Sequence, residues 1–309
     1  MLRSLLIALA LFIGPGASLA QTAALTTIKV GVIPSEVCGQ LFYGIDEGFF
    51  KKNGLDVQLQ FFTNGAAVTA AVVGGSLDAG LSDPSSAIAA HARGIPITYV
   101  APGLVYSDKA PTFAIAVAKT STVRTAKDLH GAFASSGLGN IAQLATEAWI
   151  DRNGGDLKSL KFLEMPPPVV QNALTQGTIQ ASTLNEPWLS DAAGNGFHVI
   201  LMTNGMAPAY MLSGWVTTKE WAANNPGTLA KFVASVREAS QWANRNQKAS
   251  APILAKYTKI SEDVIGRMRR GQFIETWTNG LVQPVIDAAV KYGRIPTAFQ
   301  AADIFYPVR

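Results

Sequence analysis

Two rhythms of apolar residues alternate along this chain. Short apolar runs at 28–33, 57–62, 79–81, 97–101 and 113–118 predict strands. Between them, apolar residues at helical spacing predict helices over 43–52, 66–73 and 84–92. Gly54 and the pair Gly74-Gly75 stop the first two helices, and Asp83-Pro84 opens the third as an N-cap followed by proline. After a connection of polar and small residues the same grammar restarts. It predicts a helix near 126–129, a strand at 132–134, a helix over 141–153, a strand at 160–164 and a helix over 169–176. A strand at 181–184, a helix after Pro187, a strand at 199–202 and a long apolar strand over 211–216 follow. From Lys219 the chain turns mainly helical, most clearly over 229–244 and 282–292. This alternation gives an α/β fold, with a parallel or mixed sheet and helices on both faces.

Composition agrees with a folded chain: 309 residues, 48% hydrophobic and 15% charged, suffice for one large or two medium globular domains. Residues 1–20 read differently. Arg3, an apolar run over 5–13, the breaker Gly14-Pro15-Gly16 and the small residues Ser18 and Ala20 before Gln21 make a cleaved secretory signal peptide. Its apolar run is shorter than the roughly 20 residues of a membrane-spanning helix, so the mature chain is expected to be soluble and exported. The single cysteine, Cys38, lies too far into the mature chain to be a lipid-modified first residue and has no partner for an internal disulfide. A formal charge of +4, with no basic run interleaved with aromatics, excludes nucleic acid as a partner.

An open α/β sheet binds ligands where strand C-termini turn into helix N-termini, and the candidate residues lie in four such turns. The first, 34–40, offers Ser35, Cys38, Gly39 and Gln40. In the second, Ser82-Asp83-Pro84-Ser85, the Asp83 carboxylate is expected to be consumed by capping, which leaves Ser82 and Ser85 as ligand donors. The third, Ser135-Ser136-Gly137-Leu138-Gly139-Asn140, precedes the long helix over 141–153 and is the best anion site of the chain. The fourth is Asn185-Glu186-Pro187-Trp188, in which Trp188 supplies either a stacking face or core packing and Glu186 either a ligand acceptor or a complement to the helix end. No arginine stands in these turns.

Enzyme signatures are sparse. His91, His130 and His198 are isolated, and no metal-ligand spacing, phosphate-binding loop or nucleophile elbow is present, so neither a metal nor a cofactor is expected.

Several short motifs in a fixed order carry a resemblance: Gly48-Phe49-Phe50, Gly54-Leu55-Asp56-Val57, Gly75-Ser76-Leu77-Asp78, Lys127-Asp128-Leu129-His130-Gly131, Glu186-Pro187 and Lys291-Tyr292-Gly293. Over nearly the whole mature chain they resemble the nitrate/sulfonate/taurine family of periplasmic solute-binding proteins that feed ABC importers. His130 stands where that family commonly carries lysine, and Gly39-Gln40 where its members often carry Ala-Pro. The resemblance implies a two-lobed periplasmic binding protein fold of the second type, each lobe a mixed sheet flanked by helices, with the ligand cleft between. Residues 21–119 would begin the first lobe, 120–207 would form the second, and 208–309 would return to the first. It further implies a monomer in the periplasm that closes on its ligand by hinge motion and delivers it to an inner-membrane permease with its ATPase, without catalysis. Ser135, Ser136 and the following helix N-terminus would hold an oxyanion, and Glu186 a donor group on the same ligand. An aminosulfonate-type zwitterion or a thiamine-pyrimidine-type heterocycle is then expected, rather than bare nitrate. The alternatives are a ligand-sensing partner of a membrane receptor, and an enzyme like the fungal pyrimidine synthases, whose cysteine-rich run this chain lacks.

Overall fold

The first strand, β1 (Thr26–Val32), sets exposed Thr27 and Lys29 against fully buried Ile28 and Val30, the period of two that a pleated strand imposes. The computed structural model describes residues 24–203 and 205–307; the segment read as a signal peptide lies outside them. After β1 come α1 (Gly39–Asp46), α2 (Phe49–Lys52), β2 (Leu55–Phe61), α3 (Gly65–Val73), β3 (Ala79–Ser82), α4 (Pro84–Ala92) and β4 (Ile97–Pro102). The chain passes through β5 (Leu104–Ser107) into β6 (Phe113–Val117), β7 (Gly131–Ser135), α5 (Ile141–Arg152), β8 (Leu160–Glu164), α6 (Pro167–Thr175), β9 (Ala181–Asn185), α7 (Trp188–Gly194) and β10 (His198–Ile200). It returns through β11 (Ala209–Met211) to β12 (Gly214–Thr218). The remainder is α8 (Lys219–Asn224), α9 (Pro226–Arg245), α10 (Gln247–Thr258), α11 (Glu262–Arg267), β13 (Gln272–Phe273) and α12 (Asn279–Lys291).

These strands form two five-stranded mixed sheets, ordered β2-β1-β3-β12-β4 and β10-β6-β9-β7-β8, and a small sheet ordered β11-β5-β13. In the first, β1 runs parallel to β2 and β3, while β12 inserts antiparallel between β3 and β4. In the second, β7 runs parallel to β8 and β9, and β6 lies antiparallel to β9 and β10. Each large sheet with its helices is a lobe of a two-lobed α/β fold. The connecting segments β5 and β11 pair antiparallel with each other, with Tyr106 opposite Tyr210.

Two of the expected elements are each divided in the structure. The strand expected over 211–216 is broken, since β11 ends at Met211 and β12 starts at Gly214. The apolar run hid this break because Tyr210, Met211, Leu212, Trp215 and Val216 are all buried, whichever sheet they belong to. At the kink the Leu212 N–H donates to the Leu104 carbonyl (2.8 Å), Gly103 N–H to the Ser213 carbonyl (3.0 Å), and Leu104 N–H to Ser213 Oγ (3.0 Å). A Cβ on Gly103 would stand 2.5 Å from Ser213 Oγ, so only glycine admits this approach. The helix expected over 43–52 is two helices, α1 and α2, because Gly48 adopts φ 78° and turns the chain between them.

Candidate functional site

A cavity of about 230 Å³ lies between the lobes. Each lobe lines it from turns at the C-terminal ends of its strands, where an open sheet leaves its concave edge. The first lobe contributes Ser35 and Val37 after β1, Phe62 and Asn64 after β2, and Asp83 after β3. From the second come Ser136 and Asn140 between β7 and α5, Ile141 at the start of α5, Pro166, Pro167 and Pro168 at the start of α6, Asn185 at the end of β9 and Trp188 at the start of α7. Leu212 and Ser213, at the kink between the lobes, complete the lining. The walls are mainly apolar, and no lysine, arginine or histidine is among the lining residues. The side-chain amide of Asn185, half-buried here, has no hydrogen-bond partner among the described residues and is free to meet a solute.

Side chains join the lobes around this cavity. Ser85 Oγ donates to the Gly139 carbonyl (2.7 Å), Asn64 Nδ2 to Glu164 Oε1 (2.8 Å), and Ser35 Oγ to the Glu186 carbonyl (3.1 Å). Asp83 makes the fourth link. It caps α4, Oδ1 accepting the Ser86 N–H (3.2 Å) and Oδ2 the Ser86 hydroxyl (2.6 Å), and Oδ1 also accepts the Ile141 N–H that begins α5 (2.9 Å). Burial pushes its carboxyl above the usual range, and these hydrogen bonds oppose that rise. The expected cap is therefore present, but the same carboxylate also crosses the cleft to the helix end that the sequence offers to an anion.

Of the expected ligand residues, Ser35, Ser136, Asn140, Asn185 and Trp188 line the cavity, and the others are engaged elsewhere. Cys38 is fully buried, its Sγ accepts the Ile33 N–H (3.1 Å), and burial pushes its thiol up to about 12. Gly39 packs where a Cβ would come 2.6 Å from the Tyr43 ring. Gln40 spends its amide on the Pro102 carbonyl, Ser240 and Trp215 Nε1. Ser82 pairs with Thr69, and Ser135 Oγ donates to Asn140 Oδ1 (3.2 Å) and to the Gly137 carbonyl (3.3 Å). Gly137 and Gly139 shape the turn before α5, with Gly139 donating its N–H to Gln143 Oε1 (2.7 Å). Glu186 complements its own helix: its carboxylate accepts the Ser190 N–H (3.0 Å) and hydroxyl (2.9 Å), and burial pushes it up to about 7. Trp188 is half-buried, packing on both apolar clusters while it lines the cavity.

The pattern reading passed over Phe62, Asn64 and the prolines 166–168. Both groups follow strands and precede helices, so the rule that selected the four turns also covers them; Asn64 in addition carries the N-cap signature of α3, with Oδ1 accepting the Ala67 N–H (2.9 Å). Leu212 and Ser213 carried no such signal, because they sit inside an apolar run.

Comparison with known proteins agrees with this architecture. The model of the NMT1/THI5-like family matches residues 37–250. A putative binding protein of Brucella abortus (strain 2308) is 23% identical over 279 residues, 84% of this chain and 83% of that protein. The alkanesulfonate-binding protein SsuA from Xanthomonas axonopodis pv. citri, solved bound to MOPS, superposes with a TM-score of 0.77 at 18% identity, covering 92% of this chain and 99% of that one. The periplasmic nitrate-binding protein NrtA from Synechocystis PCC 6803 superposes with a TM-score of 0.74 at 17% identity, covering 91% and 84%.

Proposed function

This chain belongs to the NMT1/THI5-like family, and we propose that it is the solute-binding subunit of an ABC importer. It acts in the periplasm as a monomer, takes a small organic solute into the cleft, closes by rotation about the stitched kink of its connecting segments, and presents the closed form to a permease and its ATPase. One observation carries this reading: a cavity walled by strand-end turns of both lobes and spanned by lobe-to-lobe hydrogen bonds. Opening the lobes would expose the cavity, and a solute that touches both walls would favour the closed form.

Apolar walls support a ligand with an organic body, such as a sulfonate or taurine-like molecule or a thiamine-pyrimidine-type heterocycle, over bare nitrate. Binding without chemistry is supported by the inert setting of Cys38 and by a lining without histidine. The test is a thermal-shift screen of the exported chain against alkanesulfonates, taurine, nitrate, bicarbonate, aromatic carboxylates and aminopyrimidines, with X-ray scattering on each hit. A solute at 100 times its Kd adds about 2.7 kcal/mol of apparent stability, and closure reduces the radius of gyration. If no solute raises the melting temperature, the reading fails.

A further inference from the structure

We infer that Asp83 sets the charge class of the solute, so that this cleft takes uncharged or cationic molecules and rejects oxyanions; the inference rests on the solute-binding reading above and narrows its ligands to the heterocycle, setting aside the sulfonate and taurine-like molecules. Helix N-termini reach the cavity from both lobes, and by themselves they would favour an anion. Here those of α3, α5 and α6 carry an acceptor of their own or lack donors. Asn64 takes an amide of α3, and Asn140 Oδ1 accepts the Gln143 N–H of α5 (2.9 Å). Pro166, Pro167 and Pro168 have no N–H to offer at the start of α6.

The first amide of α5, on Ile141, is taken by Asp83 from the opposite lobe. A carboxylate thus stands where an oxyanion would meet that helix. All three of its bonded groups, the Ile141 N–H, the Ser86 N–H and the Ser86 hydroxyl, are donors, which suits an ionised acceptor. A second negative charge in the cavity would face it with no lining lysine, arginine or histidine to offset the repulsion. Asp83 and the carbonyl oxygen of the unpartnered Asn185 amide instead offer acceptors to a solute whose N–H groups sit on an apolar body.

The test uses a set of like shape and different charge, namely benzoate, benzamide and benzamidinium, together with methanesulfonate and nitrate, titrated by calorimetry into the exported chain and into Asp83→Ser and Asp83→Asn. Serine retains a cap for α4 while removing the carboxylate; asparagine keeps an acceptor for Ile141 without the charge. Melting curves verify that both variants are folded. In the unaltered protein benzamide or benzamidinium binds, and benzoate, methanesulfonate and nitrate do not. In both variants benzoate and methanesulfonate gain at least tenfold in affinity, and benzamidinium loses as much. Tight binding of benzoate or methanesulfonate by the unaltered protein, or variants that gain nothing for anions, overturns the assignment of Asp83 while the solute-binding reading stands. An unaltered protein that answers to no member of the set, charged or neutral, overturns the solute-binding reading itself and the inference with it.

Discussion

Arg270 lies 234 residues from Glu36 along the chain and 2.6 Å from it in space. The pair is almost wholly buried, and every side of it is bonded: Arg270 also donates to Tyr43, Ser250 and the Gln247 carbonyl, and Glu36 accepts the Gly271 N–H. This network anchors the turn that carries Ser35 and Val37 into the cavity. Arg270→Ala should destabilise the protein by about 3–5 kcal/mol in denaturant unfolding, since it strands the Glu36 carboxylate. Glu186 makes a prediction about pH. Burial raises its carboxyl from 4.5 to about 7, so the folded protein holds that proton more firmly than the unfolded chain does. Its contribution is fully present below pH 4.5 and is lost as pH rises to about 7, a change of up to about 3 kcal/mol. Glu186→Gln should therefore gain stability relative to the unaltered protein as pH rises from 4.5 to 8; parallel stability curves across that range would count against this environment. Roles at this scale were only half legible. The cap at Asp83 could be read from Asp-Pro, but its bond to Ile141 could not, because the two residues meet only when the lobes do.

At the scale of elements, helices and strands with clear periodicity stand close to where the pattern predicts them, including α4 and β8 at the expected bounds. Errors fall where burial is uniform or where one residue breaks an otherwise continuous run, as at Gly48 and at Leu212-Ser213. The second break matters most, because it forms with Gly103 the point about which the lobes are joined. Gly103→Ala should cost about 1–3 kcal/mol in thermal unfolding, since its methyl group would press on Ser213 backbone and side chain. It should also change the scattering envelope of the solute-free protein; an unchanged envelope and melting temperature would show that the kink yields easily.

For the whole molecule, the closure proposed above would be a balance between lobe-to-lobe bonds and the solute. Ser85→Ala removes one such bond without touching a lining residue, and Asn64→Ala removes another together with a lining side chain and the cap of α3. With a net worth of about 0.5–1.5 kcal/mol for each bond, every substitution should shift the protein toward the open form and weaken solute affinity about 2- to 10-fold. Calorimetry and scattering read both effects together; unaltered affinity with an unaltered envelope would mean that these bonds do not hold the cleft. By itself the sequence determined the α/β class, most element positions, several of the strand-end turns that line the cavity between the lobes and, through ordered motifs, the kinship with solute-binding proteins, because periodicity, caps and glycine stops act between near neighbours. Only the tertiary structure decided which turn residues face the cavity, which are spent on internal hydrogen bonds, and that a carboxylate of one lobe closes the helix end of the other. Those outcomes depend on contacts between segments far apart in the chain, where burial and a single free partner settle what a polar group does.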